Sequence, residues 1–243
     1  MKKAIGYVYV IAAAVCWGFL GLFNRVLTAA GVSLLNMMPL RFGGTAILFT
    51  VFCMMFKQQV FHIKLRHLPI FLGSGLISML LVLCGCALVS GIVGSDVGIS
   101  LEGLLMGLAS ELCYGGYTIF THYGMRYCDS FTMAYWTFLI AGIASLFLAD
   151  GPALLSELAE PRTGLAALGL MVMGTALPFT LYTKGLETVE SGKAAIIANI
   201  EPVMSAVIGV TVFQETLGLW TLVGIVLVLS GVVVLACEKE PDK

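Results

Sequence analysis

The sequence predicts an all-α integral membrane protein, with about eight transmembrane helices in an inverted-repeat arrangement. Three observations lead there. Hydrophobic residues make up 59% of the 243 and charged ones 11%, against about 45–50% and about 25% in soluble domains. Apolar runs of bilayer-crossing length follow one another with short polar hinges between them. Lysine and arginine gather on alternate hinges. No alternating barrel pattern is present, and hydrocarbon admits only segments that satisfy their own backbone, so the spans are helices.

In order, the runs give spans at about 6–28, 34–56, 69–94, 99–121, 131–149, 164–183, 193–213 and 216–237. The first follows Lys2 and Lys3 and contains Ala12-Ala13-Ala14, which imitates a signal peptide. Its uncharged run continues from Ala4 to Asn24, so it is expected to persist as an uncleaved membrane helix. The shortest hinges fall at 95–101 and 214–217.

Orientation follows from positive charge alone. One side collects Lys2, Lys3, Lys57, Lys64, Arg66, Arg126, Lys184, Lys193, Lys239 and Lys243. The other side has Arg162, while Arg25 and Arg41 lie within spans. This ten-to-one division predicts a multi-pass protein of the cytoplasmic membrane with both termini in the cytoplasm, and an even number of crossings.

The chain also repeats itself. Val15-Cys16-Trp17-Gly18 in the first span returns as Leu112-Cys113-Tyr114-Gly115 in the fourth, 97 positions later. Leu88-Val89-Ser90-Gly91-Ile92-Val93 returns as Val228-Leu229-Ser230-Gly231-Val232-Val233. The order matches at both ends, so a three-helix unit over 1–95 and a five-helix unit over 96–243 are expected. An odd number of helices precedes the second copy, which therefore runs through the membrane upside down.

Composition and motifs also exclude. Formal net charge is −1, so no global field draws a nucleic acid. Of seven cysteines, Cys16, Cys53, Cys84, Cys86 and Cys113 sit in apolar runs, which is packing usage and not a disulfide framework. His62, His67 and His122 stand in or beside hinges without metal-ligand spacing. No phosphate cradle with its lysine and no nucleophile with a base is present, so neither enzyme activity, a cofactor nor a metal is expected.

Polar groups inside spans need a reason, because a charge at a helix centre costs about 2.5–3.5 kcal/mol on insertion scales. Glu111 lies about 18 Å into the fourth span, in register with Gly103 and Gly107. It is either a proton- or cation-carrying carboxylate or a protonated acid bonded within the bundle. Tyr114 and Thr118 extend its face. Arg41, about 10 Å into the second span, either neutralises an anionic group or pairs across the bundle. Pro202 cannot donate to the carbonyl of Ala198, nor Pro178 to that of Gly174, so helix kinks are expected there. Asn199 and Glu201 flank the first of these kinks. Trp17, Tyr114 and Trp136 either wall one aromatic cavity or serve in packing, lipid contact and the interface belt, where Trp220 is placed.

These residues carry a resemblance. Gly174 through Pro178 to Lys184-Gly185-Leu186-Glu187, then Ser191, Ala194-Ala195, Glu201-Pro202, Glu215 and Gly224…Gly231 resemble the closing half of EamA-type members of the drug/metabolite transporter superfamily. Cys16-Trp17-Gly18 and Leu40-Arg41-Phe42 are similar to that family's opening helices. The family pattern is ten helices in two inverted five-helix repeats; here the third span starts like the family's third helix and ends like its fifth. The resemblance implies a secondary transporter of small organic metabolites or amphipathic compounds, exporting them by alternating access. Glu111, Arg41, Trp17, Tyr114, Glu201 and Asn199 are then the substrate-lining candidates. The alternative expectation is a non-transporting or partner-dependent membrane protein, whose shortened repeat is completed by a second copy through the Gly73/Gly75 and Gly91/Gly94 surfaces.

Overall fold

The computed structural model describes residues 2–89 and 101–237, and every regular element among them is helical. Among the described residues, four stretches are long and apolar enough to cross a membrane: Ala4–Ala29, Leu35–Phe56, Pro161–Gly185 and Ser191–Phe213. The first comprises α1 (Lys2–Gly18) and α2 (Leu20–Ala29), and the second follows α3 (Leu34–Met38) into α4 (Gly44–Phe56). Between these and the later spans come α5 (Leu68–Val89), α6 (Leu101–Gly124), α7 (Ser130–Ser145) and the short α8 (Gly151–Leu158). The third long stretch comprises α9 (Pro161–Met171) and α10 (Leu177–Gly185), and the fourth α11 (Ser191–Ala198) and α12 (Ile200–Phe213). α13 (Leu219–Cys237) is the last helix among the described residues.

Polarity runs from inside to outside in the order a bilayer requires. Large apolar side chains such as Leu112, Phe147, Leu165 and Leu219 are more than 70% exposed. Small hydroxyl residues occupy the interior: Thr45, Ser74, Thr121, Thr137, Thr175 and Thr183 are all buried. Lipid is as apolar as leucine, so helices here associate through close packing and interior hydrogen bonds. The Ser74 hydroxyl, 2.7 Å from that of Thr137 and 3.4 Å from that of Thr121, links α5, α7 and α6. α1 packs along α10 and α12, and α5 lies against α6 and α7.

The hinges sort into two ends. At one end the 57–67 hinge meets the 126–132 region across a shared cleft. Thr188 and Val189 adjoin Gly6 at that end. At the other, Arg25, Glu160, Arg162 and Phe213 line one pocket, and Arg25 forms an ion pair with Glu215 beneath the cation–π contact to Phe213 at 4.5 Å. Lys57, Lys64, Arg66 and Arg126 thus share one cleft and Arg25 and Arg162 another, while Lys239 and Lys243 lie outside the described residues.

Several local outcomes differ from the expected elements. The region 150–160 holds α8, with Asp150 accepting from the Ala153 amide at its start. Asn36, buried at the start of the second span, accepts from the Asp150 amide at 2.9 Å and donates to Glu157, tying that helix to α3. Gly73 and Gly75 are covered: a side-chain carbon at Gly73 would meet Phe120, and one at Gly75 would lie 3.0 Å from the Thr137 carbonyl. α6 and α7 therefore fill the small-residue face of α5 that a second copy was expected to use. Gly91, Gly94 and positions 90–93 of the 88–93 repeat match lie outside the described residues.

At the lysine-rich end, Glu187 follows α10 and joins it to α7. Its carboxylate accepts from Lys184 Nζ at 2.7 Å and from the hydroxyl and main-chain N–H of Ser130. Burial pushes its pKa up, but the bonds from Lys184 and Ser130 outweigh that and leave it below the ordinary carboxylate value. A carboxylate lowered by folding adds stability above its unfolded-state pKa and loses it as pH falls through the folded value. Wild type should therefore lose thermal stability on acidification faster than Glu187→Gln, a difference kept to about 0.2–1 kcal/mol by solvent screening. Melting temperatures in detergent across pH 7 to about 4 measure it. Close backbone approach supplies a second expectation. Gly142 faces Gly43 Cα and the Phe42 carbonyl, each 3.1 Å from where a Cβ would stand. Gly142→Leu should destabilise the fold by about 1–3 kcal/mol, read as a lowered unfolding midpoint in detergent.

Candidate functional site

Each of the four long spans is irregular part-way along. The first breaks at Phe19, between α1 and α2. The second contains a π turn over Pro39–Gly43, and the third one over Val172–Ala176. The fourth breaks at Asn199. Two of the four were legible as proline positions. Pro202 cannot bond the Ala198 carbonyl, and the helix ends there and restarts at Ile200. Pro178 cannot bond the Gly174 carbonyl, and the preceding turn widens to the π register, which displaces that carbonyl from the ring. The Phe19 break and the Pro39–Gly43 turn were not foreseen.

The irregular segments face one another. Leu20 lies against Gly174, and Gly18 packs on Met204. Arg41 Nε donates to Thr175 Oγ1 at 3.2 Å, so a residue of one π turn bonds a residue of the other. The Thr175 hydroxyl in turn donates to the Leu170 carbonyl at 2.9 Å, and Thr45 donates to the Met171 carbonyl at 3.1 Å. Hydroxyls thereby satisfy carbonyls that an uninterrupted helix would have bonded itself. The Arg41 side chain is half-buried within this arrangement.

Beside it stands an aromatic cluster. Trp17 meets Phe179 at 5.1 Å, Tyr182 at 5.3 Å and Tyr114 at 6.3 Å between ring centroids. Phe179 continues through Phe138 at 5.0 Å to Phe42 at 6.1 Å, so contiguous rings connect Trp17 to the neighbour of Arg41. The Tyr182 hydroxyl is 3.2 Å from that of Thr118, which donates to the Tyr114 carbonyl. Trp17 is buried, and its Nε1–H has no hydrogen-bond acceptor among the described residues. A buried donor left unpaired costs about 1–3 kcal/mol, so it marks a place where a polar atom would be welcome.

Of the sequence candidates, Trp17 and Tyr114 come together, and Glu201 is close enough for its charge to act on Tyr114. A chain of rings connects Trp17 to Phe42, the neighbour of Arg41. Asn199 is exposed and donates to the Ala195 carbonyl at 3.3 Å, so it caps the broken helix. Glu111 is placed in α6, but its side chain lies outside the described residues, as does that of Trp220. Trp136 leaves the expected cavity: its Nε1 donates to the Val60 carbonyl at 2.9 Å, and its ring packs on Phe71. Phe179 and Tyr182 were missed; their position directly after Pro178, three apart on one helix face, was the available signal. No group of three or more histidine, cysteine or acidic side chains that could hold a metal occurs among the described residues.

Comparison with known proteins agrees with the geometry. An uncharacterized transporter of Archaeoglobus fulgidus is 41% identical over 68 residues, 28% of this chain and 25% of that one. The uncharacterized transporter YwfM of Bacillus subtilis is 26% identical over 174 residues, covering 70% of this chain and 57% of its own length. The multidrug resistance protein EbrB of Bacillus atrophaeus is 32% identical over 88 residues, 36% of this chain and 75% of that protein. The chain thus spans a quarter and somewhat over half of the lengths of the first two. Residues 101–237, from α6 through α13, match the profile of the EamA-like transporter family. With apolar helices of membrane-crossing length and more than half the chain inside that match, this protein is an integral membrane protein of the EamA-like transporter family.

Proposed function

We propose that the chain is a secondary transporter that exports small organic or amphipathic compounds across the cytoplasmic membrane by alternating access. In this reading it crosses the membrane eight times. Residues 1–95 form a shortened three-helix repeat and 96–243 an inverted five-helix repeat, with both termini in the cytoplasm. The family membership supports transport, and the separation of charged hinges to two ends supports the topology.

One observation carries the reading. Trp17 and Tyr114, matched to each other by the internal repeat, touch at 6.3 Å. Two copies related by a pseudo-twofold axis bring equivalent residues together only near that axis, where transporters of this design bind substrate. The unpaired Trp17 N–H points to a polar substrate atom, and the surrounding rings to an apolar body. Glu111 and Glu201 supply carboxylates, Tyr114 a phenol and Arg41 a guanidinium. Asn199, Pro178 and Pro202 keep the helix interruptions that let one half rock against the other. EbrB is a multidrug resistance protein by name, which fits an amphipathic substrate.

The test is flux into proteoliposomes, with and without a pH gradient, over amino acids, amines and nucleobases. Transport of at least one class above protein-free vesicles is expected, and silence across the panel overturns the reading in favour of a partner-dependent protein. Trp17→Phe should keep the fold and raise the half-saturating concentration by about tenfold, the loss of one buried hydrogen bond of about 1–3 kcal/mol. An unchanged half-saturation would remove the indole N–H from substrate binding. Topology has its own measurement. Arg162→Cys should react with an impermeant thiol reagent on intact cells, and Lys193→Cys only after permeabilisation; the reverse pattern would refute the orientation.

A further inference from the structure

The cleft at the lysine-rich end is separate from the aromatic cluster. It opens between the 57–67 hinge and the 126–132 region and encloses about 1130 Å³. Lys57, Lys64, Arg66 and Arg126 line it, with the imidazoles of His62 and His67 between them. Its one carboxylate is Asp129, which is occupied in capping α7, accepting from the amide and the hydroxyl of Thr132. Among the described residues none of the four cations forms an ion pair. Lys57 rests over Phe131 at 4.6 Å and Arg126 over Tyr123 at 5.3 Å, contacts that hold the charges in place without neutralising them.

Four like charges gathered in one cleft repel, and a bound anion relieves that repulsion. The shape indicates which anion. One side of the cleft is apolar: Phe71 and Val60 are buried at its floor, while Met55 and Phe56 are each 68% exposed at its edge. That edge continues up α4 into the exposed side chains of Val51 and Phe52. In a membrane protein this surface faces acyl chains. A soluble anion would use the cations and leave the apolar side idle; an anionic phospholipid uses both.

We propose that this cleft binds the phosphate headgroup of one anionic phospholipid, with its acyl chains along Met55 and Phe56. Arg66 and Arg126, one from each wall, clamp the phosphate, and Lys64 adds charge at the rim. Basic pockets between membrane helices suit such headgroups, each cation acting within a Debye length. The inference rests on the membrane location alone and stands whether or not the aromatic cluster binds a substrate.

The experiment is native mass spectrometry of the purified protein with phosphatidylglycerol, phosphatidylcholine or inorganic phosphate, paired with thermal stability in the same detergent. One phosphatidylglycerol should be retained per chain and raise the melting temperature, with phosphatidylcholine and phosphate doing neither. The double variant Arg66→Gln/Arg126→Gln should bind phosphatidylglycerol about tenfold more weakly or worse. Lys184→Gln/Lys193→Gln, which removes equal charge from the same end, should bind as wild type does. Retention of phosphatidylcholine to the same extent overturns the proposal, and equal weakening in both double variants does so in favour of diffuse surface charge. Stabilisation by phosphate alone overturns it in favour of a soluble anion. Should the arginine variant fail to fold, salt titration of wild type decides: release of the lipid with rising salt is expected, and retention refutes the charge-based site.

Discussion

In hydrocarbon an unpaired main-chain carbonyl has no water to turn to, and leaving one costs several kcal/mol. This constraint governs where the helices of this protein can be irregular. All four long spans depart from the α register, at Phe19, Pro39–Gly43, Val172–Ala176 and Asn199. The π turns face one another across the interior, where threonine hydroxyls meet the loosened carbonyls. Thr175 serves the Leu170 carbonyl and receives Arg41 in the same bond network, so the positive charge and the helix distortion stabilise each other.

The same constraint explains the exchange of polarity between inside and outside. With no hydrophobic drive between helices in lipid, small residues and hydroxyls decide which surfaces meet. Gly142 admits the backbone of the Pro39–Gly43 turn, Gly75 admits α7, and Ser74 ties three helices through two hydroxyl contacts. Larger side chains at those places would separate the helices, and the aromatic chain from Phe42 to Trp17 depends on that separation staying small. Under the alternating-access reading proposed above, close packing through small residues would keep each half rigid, and the interior irregularities would be its joints.

Much of this was legible from residues. Four of the apolar runs match the membrane-length stretches to within a few residues, and the lysine and arginine count grouped Lys57, Lys64, Arg66 and Arg126, which share one cleft. Pro178 and Pro202 announced two interruptions because a missing N–H is a local chemical fact. Trp17 and Tyr114 hold matching places in the expected repeat, and their rings lie 6.3 Å apart. What was not legible needed partners distant in sequence. Trp136 reads as a cavity wall until the Val60 carbonyl claims its N–H, 76 positions away. Asn36 does not stand out within the second span until Asp150 and Glu157 come to it. α8 is too short and too mixed in polarity to stand out by period.

Composition, period and charge thus determined the solvent of this protein, its helices and the sorting of its hinges, because each is set by the residue's own transfer energy or by its near neighbours. The internal repeat and the prolines added where symmetry and strain should fall. Only the tertiary structure decided which rings surround Trp17, that Arg41 bonds Thr175, and that α6 and α7 cover the glycine face of α5. Those outcomes depend on how closely helices approach, and that distance is fixed by side chains from different spans fitting together, which no single stretch of sequence contains.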